Sequence, residues 1–274
     1  MPSTRIAVIG RYAAILGVLV VVLAPFLWIF LNSFRPNMEL VAGPAILPEV
    51  WTLDNYQRLV ASTPFWLWTR NSAVVALLTA LFTLPLSLCA AYSVYRCRYR
   101  GRNVLGLAVL AVYVFPTALL VVPIFGLFDQ IGLLDRLVGL AVMNTALATP
   151  FAVWLLQAFL RALPPELEEA AAMDGAGRLR TIATVVLPQM APGIFAVAVF
   201  AVIVAWTEFL FASVLMVSDA NRTLAVGMAD LIGQYRVDWG RLMSGAVMTA
   251  APIVLLFTLT ARWFVRGISA GVVD

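Results

Sequence analysis

The chain of 274 residues has no histidine, and all 18 of its basic residues are arginine, so lysine is missing too. Without histidine there is no Ser–His or Cys–His nucleophile, no HExxH zinc site and no imidazole ligand for haem. Without lysine there is no Walker A phosphate lysine and no Schiff base. The 2 cysteines, Cys89 and Cys97, are too few for a four-cysteine zinc site or an iron–sulfur cluster. Both fall in or just past the inner half of the second span assigned below, which argues against a disulfide framework. Charge is scarce as well. Charged residues make up 12% of the chain and hydrophobic ones 63%, and the mean hydropathy is +0.97. A soluble domain is about a quarter charged. Too little polar surface exists here to cover a water-soluble globule. The composition therefore excludes most catalysis and points to an all-α polytopic membrane protein, with residues 1–274 forming one domain of packed helices.

Six apolar stretches fall at 12–31, 72–95, 104–125, 138–160, 191–217 and 244–264. Each is about 20 residues or more, enough for a hydrocarbon core of about 30 Å at about 1.5 Å per residue. Pro25, Pro85, Pro116, Pro123, Pro150, Pro192 and Pro252 fall within them and are expected at kinks or span ends, where neighbouring groups re-satisfy the freed carbonyls. With the N-terminus inside, eleven arginines fall on the inner side and seven on the outer. The short segment holding Arg96, Arg98, Arg100 and Arg102 is the most diagnostic, because the positive-inside rule works best on short loops. The net charge of +4 is thus a sign of topology and not of nucleic-acid binding. An even number of spans returns the C-terminus to the inner side. The first apolar run exceeds a signal-peptide core of about 7–15 residues and precedes no small-x-small site, so it reads as a retained anchor. No low-complexity tract, linker or short-period repeat is present.

The most informative segment is the inner loop 163–188. Pro164 and Pro165 suit a helix start, and Glu166, Glu168 and Glu169 complement its positive dipole end. Leu167, Ala170, Ala171 and Asp174 share one small face on which another backbone can approach closely. Gly175 or Gly177 permits a left-handed stop. A second helix then places Leu179, Ile182, Ala183 and Val186 on one side, and Pro188 closes it. The product is a helical hairpin. A lipid-facing amphipathic helix is disfavoured, because its four carboxylates would meet a negative inner leaflet. A docking surface for a soluble partner fits better.

Glu169-Ala170-Ala171, then Gly175 after three residues, then Val185-Val186-Leu187-Pro188, resembles the EAA motif of ABC importer permeases, E-A-A-x3-G-x9-I-x-L-P, with Val185 in place of Ile. The stretch Thr223–Met228, Trp239-Gly240 and the tail from Gly267 look like the second permease subunit of maltose-type carbohydrate importers, although the Val-Val-Asp ending differs. The resemblance implies six transmembrane helices with a cytoplasmic coupling-helix hairpin. The ATPase-coupling residues would be Glu169, Ala170, Ala171, Asp174, Gly175, Leu187 and Pro188. It also implies a second permease subunit, two ATP-binding subunits that hold ATP and magnesium, and an extracytoplasmic sugar-binding protein. No cofactor is expected in this chain, and its surroundings are the lipid of a bacterial or archaeal cytoplasmic membrane. The cargo would be a maltose- or trehalose-like di- or oligosaccharide. An ion-gradient-driven secondary transporter or channel is the rival reading, and a membrane enzyme a distant third. An ion-driven carrier has no use for an ATPase-docking hairpin, and the absence of histidine and lysine disfavours an enzyme.

Glu208 is the only acidic residue inside a span. An intramembrane carboxylate is costly and defaults to a functional hypothesis. It either hydrogen-bonds sugar hydroxyls, with Trp206 as a stacking face, or holds the neighbouring subunit through a polar contact, as buried polar residues glue helices. A proton-coupling role lacks a second relay group. In maltose-type relatives the outer loop 218–243 reaches toward the binding protein, and Gly227, Gly233 and Tyr235 are compatible with such a contact. Trp51–Leu59 is expected along the outer interface, and Trp28, Trp66, Trp68 and Trp263 as interface anchors near span ends.

Overall fold

A computed structural model describes residues 2–43, 47–111, 113, 115–232 and 237–270, with side chains given except at 2–7, 9, 103, 110 and 261–270. In chain order the helices are α1 (Pro2–Asn32), α2 (Asn37–Ala42), α3 (Asp54–Ser62), α4 (Phe65–Arg96), α5 (Arg102–Ala111), α6 (Val121–Gln130), α7 (Leu137–Ala162), α8 (Glu166–Met173), α9 (Arg178–Thr181), α10 (Leu187–Gln189), α11 (Ala191–Thr207), α12 (Leu210–Leu215), α13 (Leu224–Ala229) and α14 (Trp239–Ala270). Among the described residues the one β pairing is an isolated antiparallel bridge between Ile232 and Val237.

Within α1, α4, α7 and α14 lie stretches long and apolar enough to cross a membrane, and the segment Arg178–Gln189 with α11, bent by 78°, can supply a fifth. The sequence pattern predicts six spans with prolines at kinks or span ends, and two of those stretches are interrupted. In 104–125, α5 ends at Ala111, Pro116 takes an extended ψ of 114°, and a 3₁₀ turn (Thr117–Leu120) leads into α6. Proline has no N–H to give and pushes its predecessor out of the helical region. In 191–217 the helix stops at Thr207 and restarts at Leu210. Pro116 marks the first break in the sequence, whereas nothing in the apolar pattern registers the second.

The chain divides into two compact units, Met1–Trp66 with Gly227–Pro252, and Leu67–Val226 with Ile253–Asp274. In the first, α1 stays exposed along its apolar length, as befits a helix whose solvent is lipid. Order comes from the polar segment after it. Arg35 is only 3% exposed. Its guanidinium donates to Asn32 Oδ1 at 2.8 Å and to Glu39 Oε1 at 2.9 Å. The Asn55 carboxamide donates to the carbonyls of Ser33 and Arg35 at 2.9 and 2.7 Å. Gly240 packs so closely on Asn55 that any Cβ there would overlap its carboxamide.

The second unit is built on α4, α7 and α11. Ala80, Ala148 and Ala201 are buried together, and Ala91, Ala152, Leu156, Leu160, Val186 and Val197 form a larger buried cluster. Small residues let the helices approach where lipid offers no hydrophobic drive for association. Gly193 lies under the ring of Phe159, and Phe151 and Phe200 stack with centroids 4.4 Å apart. Polar staples complete the unit. The Asn71 carboxamide donates to the carbonyls of Ala220 and Arg222, and Ser72 Oγ accepts from the Leu224 amide. Asp135, at φ 53°, accepts from the Ser218 amide on its carboxylate and from the Asn221 carboxamide on its carbonyl. Burial raises the Asp135 pKa, but the hydrogen bonds from Ser218 and its neighbours outweigh that and leave it below the ordinary carboxyl range. Trp68, expected at an interface, is buried here. Trp28 and Trp66 are exposed, and Trp263 lies outside the residues whose side chains are described.

Candidate functional site

The hairpin forms as its residues dictate. Pro165 adopts helical angles and its carbonyl accepts from the amides of Glu168 and Glu169, starting α8. The stop falls at Gly175, whose φ is +79°, and not at Gly177, whose φ is −67°. The Ala176 amide donates to the Ala171 carbonyl and the Gly175 amide to the Ala172 carbonyl, both at 3.0 Å. That pair of bonds is a Schellman motif, which requires a left-handed residue where glycine stands. After α9 the chain widens into a π turn, Ile182–Val186, closed by the Leu187 amide on the Ile182 carbonyl. Pro188 follows immediately, and a residue without an N–H cannot complete a regular α turn there. The π turn shifts the helical phase, which corrects the expected single apolar side. Val186 is buried while Leu179 is 83% exposed.

Two adjacent glutamates of α8 face different ways. Glu169 is exposed, as are Ala170, Asp174, Gly175 and Pro188, while Ala171 and Leu187 are half-buried. Met173 is 89% exposed, so the surface of the hairpin carries exposed large apolar side chains, Leu167, Met173 and Leu179, among acidic and small residues. Glu168 turns inward. Its Oε1 pairs with Arg96 Nε at 2.8 Å and its Oε2 accepts from the Tyr92 hydroxyl at 2.7 Å. Arg96 Nη2 also donates to the Leu163 carbonyl at 2.6 Å. The Arg178 guanidinium donates to Cys97 Sγ at 3.3 Å and lies over the Tyr92 ring. From the sequence, Arg96 reads only as a topology signal, and Glu168 only as a carboxylate that suits a helix start and disfavours an anionic leaflet. The signal available was an arginine ending one apolar helix and a second, adjacent carboxylate in the motif.

Glu208 marks the interruption between α11 and α12. Its backbone is extended, with φ −66° and ψ 125°. Its Oε1 accepts from the Phe211 amide at 2.6 Å and its Oε2 from the Ala212 amide at 2.9 Å. The carboxylate thus satisfies two amides that the helix break orphans. Trp206 is 7% exposed, so its ring is turned into the protein and presents no open stacking face.

Of Gly227, Gly233 and Tyr235, the structure describes Gly227 alone. Gly227 lies inside α13 and is buried, not at a loop tip. Gly233 and Tyr235 lie outside the described residues. Nearby, Asp238 pairs with Arg58 and Arg241, both at 2.9 Å. Burial raises the Asp238 pKa, but the Arg241 amide and the two guanidinium groups outweigh it and hold it below the ordinary range.

Residues 83–273 match the family of binding-protein-dependent transport system inner membrane components. The chain belongs to this family. The permease is 34% identical over 266 residues to the inner membrane ABC transporter permease protein YcjP of Escherichia coli, covering 96% of this chain and 95% of that protein. It is 32% identical over 273 residues to the trehalose/maltose transport system permease protein MalG of Thermococcus litoralis, covering 97% and 98% respectively. In fold it is similar to a chain of the crystal structure of a bacterial ABC transporter involved in the import of the acidic polysaccharide alginate. The TM-score is 0.82 at 23% identity, over 96% of this permease and 98% of that chain. The EAA motif and coupling helix are typical of this family, so the hairpin 163–188 is the segment on which a functional reading of the permease rests.

Proposed function

We propose that this permease forms half of the translocation pathway of an ATP-driven importer of a trehalose- or maltose-like sugar. In this reading the permease works beside a second permease subunit, two ATP-binding subunits and an extracytoplasmic sugar-binding protein. Both termini and the hairpin lie on the cytoplasmic side, where Glu169, Ala170, Ala171, Asp174 and Gly175 enter a groove of an ATP-binding subunit, with Leu187 and Pro188 ending the hairpin. The observation that carries the reading is the outer surface of α8 and α9. Met173 and Leu179 stand exposed on a hairpin bearing carboxylates, a pattern suited to a protein groove and unsuited to an anionic leaflet. Closure of the ATPase dimer then moves the hairpin as a nearly rigid body, and the spans follow. The arginines that flank the spans support the orientation, and the name of the MalG relative supports the sugar class. Glu208 shapes the pathway by holding the break between α11 and α12, not by offering a free carboxylate to sugar.

The test is reconstitution of the assembled complex in liposomes. Uptake of labelled trehalose or maltose that requires ATP, the ATP-binding subunit and the binding protein is expected. Uphill uptake by the purified permease alone, driven by an ion gradient, would overturn the reading.

A further inference from the structure

The hairpin is covalently continuous with α7 through Leu163–Pro165 and with α11 through Met190, but α4 reaches it only through side chains. Apart from the apolar packing of Ala91 with Val186 and Leu163, the polar contacts are concentrated at one place. Arg96 is the last residue of α4. It binds Glu168 of α8 and the Leu163 carbonyl just past the end of α7. One turn earlier, Tyr92 gives its hydroxyl to the other oxygen of the same carboxylate. On the second arm, Arg178 meets Cys97, which follows α4 directly, and covers the Tyr92 ring. Both arms are therefore fastened to the final turn of α4 and its next residue. The central pair is largely withdrawn from solvent, with side-chain exposures of 14% for Arg96 and 16% for Glu168. An ion pair in such surroundings is less screened by salt than an exposed one. Removing one partner leaves the other charge half-buried and unpaired.

We propose that Glu168 is a positioning residue that latches the hairpin to α4, so that α4 moves with the hairpin in each ATP cycle. The proposal rests on the function proposed above and deepens it. The two neighbouring glutamates divide the work: Glu169 faces the ATP-binding subunit, and Glu168 passes the motion to a helix that the chain does not otherwise connect. With 32 residues, α4 is about 48 Å long at helical rise, so a tilt imposed at Arg96 is carried across the membrane.

The test compares the reconstituted complex with its Arg96→Glu and Glu168→Arg variants, the double swap, and the milder Glu168→Gln. ATP hydrolysis and uptake of labelled trehalose and maltose are measured together. We expect the single reversals to keep the ATP-binding subunit bound and hydrolysis running while uptake per ATP falls by about tenfold, within the usual range of coupling between sites. The double swap restores at least about threefold of that ratio, and Glu168→Gln loses about threefold. Unchanged uptake per ATP in the single reversals or in Glu168→Gln overturns the latch. So does a parallel fall of hydrolysis and uptake that the double swap does not relieve, because that marks a purely structural role. An unmutated complex that holds no ATP-binding subunit instead refutes the proposed function, and the latch with it.

Discussion

The sharpest perturbation is at the hairpin tip, where two glycines two residues apart have different conformations. Gly175 has φ +79° and Gly177 has φ −67°, and a Cβ added at either meets nothing within 4 Å. Sterics with neighbours therefore cancel from the comparison, and only the backbone differs. An L-residue held in the left-handed region costs about 1–2 kcal/mol, a factor of about 5–30 in an equilibrium constant. Gly175→Ala should open the Schellman turn by that factor, Gly175→Asn by less because asparagine tolerates the region, and Gly177→Ala not at all. Hydrogen exchange read by mass spectrometry checks this directly. The Ala176 amide, bonded to the Ala171 carbonyl, should exchange about 5–30 times faster in Gly175→Ala and unchanged in Gly177→Ala. Binding of the ATP-binding subunit should weaken only as far as the closed fraction falls, since only the closed hairpin docks. Equal effects at the two glycines would refute the reasoning, because the left-handed turn would then not be what organises the tip.

Three further outcomes follow from the described geometry. Glu208→Ala strands the amides of Phe211 and Ala212 and should lower stability by about 1–3 kcal/mol, read as thermal unfolding in detergent. Glu208→Gln, with one acceptor left, should lose about half of that. Gly240→Ala drives a methyl into the Asn55 carboxamide and should destabilise the Asn55 bonds to Ser33 and Arg35 by about 1–3 kcal/mol; denaturation of the purified permease checks it, and a neutral result would place the Asn55 network outside the folding core. Asp238 has a lowered pKa in the folded protein. Its contribution is therefore complete above the unfolded value of about 3.9 and disappears as pH falls through the lower folded value. Asp238→Asn should flatten the acid limb of the stability–pH curve, and an unaltered limb would show that the Arg58 and Arg241 pairs do not matter.

Composition and spacing alone determined that the chain is helical, that it belongs in lipid, where most of its long helices fall, and that 163–188 makes a hairpin stopped at a glycine. The physics behind these is local: hydropathy integrates along a helix, arginine counts read the charge of each side, and only glycine enters the left-handed region without strain. Tertiary structure alone decided which of two adjacent glutamates faces outward and which is taken by Arg96 and Tyr92. Helical period places Glu168 and Glu169 about 100° apart but does not say which face meets a helix about 70 residues earlier in the chain. It also decided that Glu208 spends its carboxylate on Phe211 and Ala212, that Trp206 and Trp68 turn inward, and that Gly227 sits within a buried helix. Side-chain burial depends on which surfaces the other helices cover, and a one-dimensional pattern carries no record of that.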